Sequence, residues 1–453
     1  MRKMLTTTCL PLLTALTMLI LAFSAPTPAP AATFVEVISE PFGTFDEVEY
    51  NRYTGRFVGT TALGDYRMAF EIVAPADPGL GNGTVLIEPP HFAFEHAGRD
   101  LVLGRAFVFD HGFSYGGVGY GTDGLNILDP TATDLILAGE PVADLGDEAV
   151  TDYEIVVQFV NALESDPFAV AALGSIERKA GYGISQTADV WQAILHQPDG
   201  QGLLDFTLLE LNLWHWQFAP GHGQDGLPEE FSPLSGVGKV IFVESEGDLV
   251  ISDAEQLRRA VDGPGADLAH YRLYEVAGAP HFSGTPDNPL PPPFNPLALD
   301  RSSVARAMLL AGDQWVRAGT PPPPSALLVA APAGEIDPVY NFVTGIARDN
   351  NLNALGGIRF PDVEVGRAQF IASLLDFEIV PGLPGLVGAW SDLQCDPLGD
   401  GSPRFSDHGD YVSRVVHQAN ALRNSGYLLE ADAEALKEQA AESEVGMPGT
   451  CSQ

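Results

Sequence analysis

The chain has 453 residues, 45% of them hydrophobic, and its 23 basic and 60 acidic residues leave a net charge of −37. A field of that sign repels phosphate backbones and anionic lipid headgroups, which argues against nucleic-acid and membrane-surface binding. The 36 prolines and 48 glycines are scattered among apolar runs, so the chain is neither collagen-like nor broadly disordered.

Residues 1–31 read as a secretory signal peptide. Arg2 and Lys3 supply the positive start, Leu10–Phe23 is the apolar run, and Ala29-Pro30-Ala31 offers a small-x-small cleavage site. The run is short for a membrane span and passes straight into Pro/Ala-rich sequence. A secreted or periplasmic protein with no membrane insertion after cleavage is the expectation. Cleavage makes the net charge two units more negative, and only Lys3, Lys179, Lys239 and Lys437 are lysines. An acidic, lysine-poor surface of this kind stays hydrated in salt. Cleavage also removes Cys9. The remaining pair, Cys395 and Cys451, is expected to form one disulfide in an oxidising compartment.

The first third reads as β structure. Thr33–Ile38, Phe57–Thr61 and Tyr66–Ile72 carry β-branched and aromatic residues between Gly and Pro breaks. After the turn Gly79–Gly83, Thr84–Glu88 is a short apolar strand, and Arg105–Asp110 is expected to be another. Then the period changes: Tyr153, Val156, Phe159, Val160 and Leu163 share a helical face, as do Ala188, Trp191, Ile194 and Leu195. Phe206–Leu211, Lys239–Glu244 and Tyr271–Val276 are strands, with helical sequence around Ala254–Val261 and over Ser302–Ala318. Strands alternating with helices predict a mostly parallel sheet flanked by helices, an α/β fold. Thr320–Ser325 is a Pro-rich boundary. It divides a core over 32–320, with a small insertion near 212–236, from a C-terminal helical extension over 321–453. Within the extension Val412, Val415, Val416, Ala419 and Leu422 share a face, Gly426 caps that helix, and Glu430–Glu442 is a second helix.

Gly183-Ile184-Ser185-Gln186-Thr187 lies between a predicted strand and a predicted helix. A nucleophile on such a turn needs small neighbours two residues either side, because the backbone is strained and closely approached. Gly183 and Thr187 meet the size requirement. The turn lifts the Ser185 hydroxyl above the sheet edge and aims the Gln186 N–H at a developing oxyanion. A serine needs a histidine to take its proton, and the histidine needs a carboxylate to hold its tautomer. Asp248 follows the strand Lys239–Glu244, and His281 follows Tyr271–Val276, which completes the order Ser…Asp…His with each residue past a strand end. Glu244 and Glu246 compete for the acid role, Glu246 being the runner-up. The second oxyanion donor is expected after Thr84–Glu88. Pro89 and Pro90 have no N–H there, so His91 or Phe92 must donate.

These residues resemble the bacterial α/β-hydrolase-domain proteins, many of them exported and distantly esterase-like. The likeness runs along nearly the whole mature chain. It is carried by Gly81–Glu88, the Gly-x-Ser-Gln-Thr elbow at 183–187, the loop Ala277–His281, Trp315–Gly319 leading into prolines, and Asn353–Pro361. The resemblance implies an α/β-hydrolase fold with Ser185 as nucleophile and His281 as base. The chain departs from many relatives at Glu88-Pro89-Pro90-His91, where they carry a Trp- and Asn-containing loop.

Between elbow and acid, Trp214, Trp216 and Phe218 either line an apolar substrate site or pack a cap onto the core. His111–Gly117 has the letters of an oxyanion loop but is read as structural. Asp396, Asp400, Asp407 and Asp410 fit no calcium-loop spacing and read as a solvated acidic turn, and Arg359 reads as an anchor to an acidic neighbour. The expectation is therefore a cofactor-free, metal-free serine hydrolase acting on a small-molecule carboxylic ester. An amidase or peptidase with the same triad, or an inert binding protein on the same fold, are the alternatives.

Overall fold

The computed structural model describes residues 31–90, 96–120, 153–211, 238–251, 255–282, 299, 301–375 and 385–451, together with short strand pieces at 136–137, 140–141, 295–296, 378–380 and 383–384. Ala32–Gln453 form one compact unit. Residues 1–30 of the segment expected to be a signal peptide, His91 and Phe92, and the expected insertion near 212–236 with Trp214, Trp216 and Phe218 lie outside the described residues.

The N-terminal strands are longer than the apolar pattern predicts: β1 Thr33–Phe45, β2 Val48–Thr61 and β3 Gly64–Pro75. Most residues of β1 and β2 are half-exposed or exposed, with Phe34, Tyr50, Phe57 and Thr61 the buried ones, so these two strands show little continuous hydrophobic signal, whereas β3 is buried from Met68 to Pro75. β1 and β2 join at Asp46–Glu47, both with positive φ, the twist a tight hairpin needs. β3 then pairs antiparallel with β5 (Ser114–Val118). From there the sheet is parallel through β4 (Thr84–Ile87), β6 (Arg178–Ile184), β7 (Phe206–Glu210), β8 (Lys239–Ser245) and β9 (Tyr271–Val276). Every described residue of β4, β5, β7 and β9 is buried, as a two-sided parallel sheet requires.

Arg105–Asp110 corrects the sequence expectation: it is a helix, α1, and the strand is the glycine-containing segment after it. Only Val108 and Phe109 of α1 are buried, so its apolar residues cover one side of a single turn rather than both faces of a strand. Gly116 and Gly117 sit in β5 because the Phe159 ring and the Glu88 carbonyl lie against them. His111–Gly117 thus leads into and forms a sheet strand.

The strand order β1-β2-β3-β5-β4-β6-β7-β8-β9 reverses direction between β4 and β6. Such a switch point opens a crevice at the carboxyl ends of the strands, where open α/β sheets place their sites. Helices α2 (Tyr153–Ser165), α3 (Pro167–Leu173), α4 (Gln186–Leu195) and α7 (Ser302–Ala318) bury their apolar faces in the same core. Two short helices follow β8: α5 (Glu246–Ile251) and α6 (Glu255–Val261).

Beyond the prolines the chain is not purely helical. It first runs along the outer edge of β9, with parallel bridges from Tyr274 to Ala326 and from Val276 to Ile358. A Cβ on Gly357 would stand 2.4 Å from the Glu275 carbonyl oxygen, which explains the Gly-Gly-Ile-Arg-x-Pro segment. Short helix α8 (Pro361–Glu364) precedes strands β10 (Ala368–Ile371) and β11 (Ala389–Asp392), which pair antiparallel. Helices α9 (His408–Asn424) and α10 (Glu430–Glu442) close the chain over a small second core around Phe405, Tyr411, Val415 and Ala440. Cys395 and Cys451 are joined as a disulfide, with Cα atoms 5.2 Å apart.

Candidate active site

Ser185 links β6 to α4 with φ +53° and ψ −124°, a strained backbone for a residue with a Cβ. Its N–H donates to the Glu210 carbonyl at 2.9 Å, which ties the elbow to the end of β7. At Gly183 an added Cβ would lie 2.6 Å from the Thr187 carbonyl oxygen and 2.7 Å from Ala188 Cα, so only glycine fits. Thr187, on the other side, is fully buried. Its hydroxyl accepts the Ile184 N–H at 2.8 Å and donates to the Ile184 carbonyl at 3.0 Å.

The β8 and β9 loops bring the partners to this serine. His281 Nε2 lies 3.0 Å from Ser185 Oγ, and Nδ1 lies 2.6 Å from Asp248 Oδ1. A carboxylate only accepts, so the ring proton sits on Nδ1 and Nε2 is free to accept from the serine. All three side chains are buried. Burial by itself would raise the Asp248 carboxyl, but the His281 ring and the hydrogen bonds from His281 and Ser245 hold it below the usual carboxylate range. Ser245 donates to Asp248 Oδ2 at 2.5 Å and accepts the Asp248 N–H at 3.0 Å, which fixes the carboxylate's orientation. Glu246, the rival acid, is turned elsewhere: Oε2 accepts the Gly278 N–H at 2.7 Å and Oε1 pairs with Arg348.

Gln186 is the first residue of α4, so its backbone N–H belongs to the helix N-terminus beside Ser185, where partial positive charge favours an oxyanion. Buried Arg301 stands nearby, its Nη1 3.5 Å from the Pro280 carbonyl and its Nε 3.7 Å from Glu210 Oε2. Glu210 in turn accepts from the Tyr182 hydroxyl.

A second buried polar cluster stands at the end of β4. The Glu88 carboxylate accepts the N–H groups of Gly98 and Arg99 at 2.6 and 3.1 Å and the Tyr115 hydroxyl at 3.1 Å. Burial pushes its carboxyl upward. Glu71 receives Arg52 at 2.5 Å, Arg99 at 2.9 Å and His96 at 2.6 Å. Burial opposes its ionisation, but these donors win and bring its pKa down to about 2. Sequence reasoning missed this cluster, as well as Ser245, Arg301 and Arg348. Ser245 alone had a local signal, three residues before Asp248.

The discounted features are accounted for by local pairing. Arg359 anchors its segment to Asp349 and Glu364, each at 2.6 Å. Asp407 caps α9 through the Asp410 N–H, Asp410 pairs with Arg414, and Asp400 accepts from Ser402. Among the described residues, no group of three or more His, Cys, Asp or Glu could hold a metal ion, and no helix is long and apolar enough to cross a membrane. A cavity of about 770 Å³, lined in part by Arg306, Phe360, Phe370, Trp390 and Tyr411, includes none of the three residues of the Ser-His-Asp cluster.

Comparison with known proteins gives one extended match, to the family described as an alpha/beta hydrolase domain, over residues 51–438. No curated protein matches the sequence. Solved structures give remote likenesses. A cold-adapted esterase from an Arctic intertidal metagenomic library is 15% identical, over 46% of this chain and 74% of that one, with a TM-score of 0.26. Esterase Est22 is 13% identical, over 59% and 81%, at 0.34. The Pyrobaculum calidifontis esterase is 13% identical, over 43% and 66%, at 0.27.

Proposed function

The chain belongs to the alpha/beta hydrolase domain family, and on that footing we propose that it is an exported serine hydrolase that cleaves small carboxylic esters. The observation that carries this reading is the chain of contacts Ser185 Oγ–His281 Nε2 at 3.0 Å and His281 Nδ1–Asp248 Oδ1 at 2.6 Å. Those are working distances for a nucleophile, its base and the group that orients the base. The strained elbow at Ser185 supports the same roles.

In the proposed cycle Ser185 Oγ attacks the ester carbonyl carbon while His281 Nε2 takes the hydroxyl proton. Asp248 stabilises the imidazolium and keeps the ring in its tautomer. The Gln186 N–H donates to the oxyanion, with a second donor assigned to His91 or Phe92. His281 then protonates the leaving alkoxide, which departs as the alcohol and leaves an acyl-Ser185. A water, deprotonated by His281, attacks the acyl carbon, and the carboxylic acid leaves as Ser185 regains its proton. The proposed setting is the periplasm or the medium, on the strength of the leader-like residues 1–31.

Labelling with a fluorophosphonate probe tests the reading. Wild type is expected to label, and Ser185→Ala and His281→Ala are not. Folded wild type that fails to label would overturn the proposal, as would equal labelling of all three. Matched ester and amide substrates then test the substrate class: amide cleavage at a rate equal to ester cleavage would replace the esterase by an amidase.

A further inference from the structure

A carboxylate that takes no part in the proton transfers joins the loops bearing the acid and the base. Glu246 is fully buried two residues before Asp248, and its Oε2 accepts the Gly278 N–H at 2.7 Å. One residue on, the Gly247 N–H donates to the Ala279 carbonyl at 2.9 Å. The contact is close: a Cβ on Gly247 would meet the Ala372 carbonyl oxygen at 2.7 Å and Pro280 Cα at 3.2 Å. Together with the Asp248–His281 bond, these interactions hold one loop in register with the other.

A carboxylate buried this deeply needs a counter-charge, because a lone anion in a low-dielectric interior either moves or takes up a proton. The counter-charge comes from outside the catalytic strands. Arg348 lies 102 positions along the chain from Glu246, its side chain only 4% exposed, and its Nη1 pairs with Glu246. Its Nε and Nη2 hold Asp337 Oδ2 at 2.9 and 2.7 Å. The guanidinium lies over the Tyr340 ring, 5.4 Å from its centre, and the Tyr340 hydroxyl accepts the Ser373 N–H at 3.2 Å. The cation is therefore held by two partners, Asp337 and the Tyr340 ring, besides Glu246.

We propose that Arg348, carried by the segment beyond the proline boundary, is a positioning residue for the Asp248–His281 pair. By neutralising Glu246 it keeps that carboxylate on the Gly278 N–H, and so keeps His281 at hydrogen-bond distance from Ser185. The core strands do not complete the site alone. This inference rests on the catalytic reading of Ser185, His281 and Asp248.

The test uses the full chain, with the fluorophosphonate labelling rate and steady-state kcat and KM on a p-nitrophenyl ester. Wild type and Ser185→Ala come first: absent wild-type labelling refutes the catalytic reading, whatever Arg348 does. With labelling in hand, Arg348→Met is expected to lower the labelling rate and kcat roughly 100-fold with KM little changed, the cost of a misplaced base. Arg348→Lys restores most of the rate. In Glu246→Gln/Arg348→Met the glutamine still accepts from Gly278 without a charge to balance. Its labelling is expected to return to within about tenfold of wild type, while its melting temperature recovers only in part from that of Arg348→Met, because Glu246 is relieved and Asp337 is still unbalanced. Wild-type labelling by Arg348→Met overturns the proposal, and so does a double variant as slow as Arg348→Met, since lost packing alone would slow both. If Arg348→Met does not fold, Glu246→Ala, which removes the acceptor, carries the test: roughly 100-fold slower labelling supports the proposal and a wild-type rate refutes it.

Discussion

The Thr187 hydroxyl closes a two-way ring with Ile184, accepting its N–H at 2.8 Å and donating to its carbonyl at 3.0 Å. The residue that departs from the usual small-glycine pattern thus braces the turn that lifts Ser185. Thr187→Val keeps the shape and removes both bonds. It is expected to cost about 1–2 kcal/mol in urea unfolding and to slow labelling of Ser185. Thr187→Ser should retain both properties; a valine variant as stable as wild type would refute the brace.

Gly183 makes the opposite demand. Its missing side chain lets β6 approach the backbone of Thr187 and Ala188, atoms that have no rotamer by which to give way. Gly183→Ala is expected to destabilise by about 1–3 kcal/mol and to abolish fluorophosphonate labelling, whereas Gly399→Ala, with nothing within 4 Å, should change neither.

Asp248 can be tested without disturbing packing. Asp248→Asn preserves volume but turns the His281 ring toward the wrong tautomer, with the proton on Nε2. The expected loss in kcat is roughly 10⁴-fold, the size known for the same change in a serine protease triad, with a melting temperature close to wild type. A loss below tenfold would remove Asp248 from the proposed role.

Acid should weaken the end of β4. Glu71 has its pKa brought from an ordinary 4.5 down to about 2 in the folded protein by His96, Arg99 and Arg52, against the opposing effect of burial. A group with a depressed folded pKa stabilises fully above its unfolded pKa and loses that stabilisation as pH falls through the folded one. The window is therefore pH 4.5 down to 2, and the amount is roughly 3 kcal/mol. Urea unfolding at pH 6 and pH 3 should show a shallower decline in Glu71→Gln than in wild type. Equal declines would refute the assignment.

The disulfide closes a loop of 56 positions that contains α9 and α10. Cys395→Ser/Cys451→Ser is expected to lose about 4 kcal/mol on the loop-entropy account, seen as a lower melting temperature. Labelling of Ser185 at 20 °C should persist, because α9 and α10 keep their contacts with the main core through Leu422 and Leu436 and with each other through Tyr411, Val415 and Ala440.

Taken alone, the sequence determined those features whose physical cause lies within a few residues. The apolar runs of β4, β7, β8 and β9 and the helical faces of α2, α4, α7 and α9 are local patterns, and the structure bears them out. The elbow was legible for the same reason, since the strain at Ser185 and the approach at Gly183 are settled by adjacent residues. So was the chain order that brings Asp248 and His281 to strand ends. Only the tertiary structure decided the rest. Arg105–Asp110 carries apolar residues that suit a strand or a single helical turn, and the neighbouring β5 took the sheet position. Glu246 and Asp248 are both acids two residues apart, and the sequence ranks Asp248 first without removing Glu246. Which one faces His281 depends on Gly278 and on Arg348, 102 positions from Glu246. The Glu71–Glu88 cluster and the edge contact of Ile358 with β9 likewise join distant segments. A contact across that distance imposes no period and no spacing on either partner, so it becomes visible only once the chain has folded.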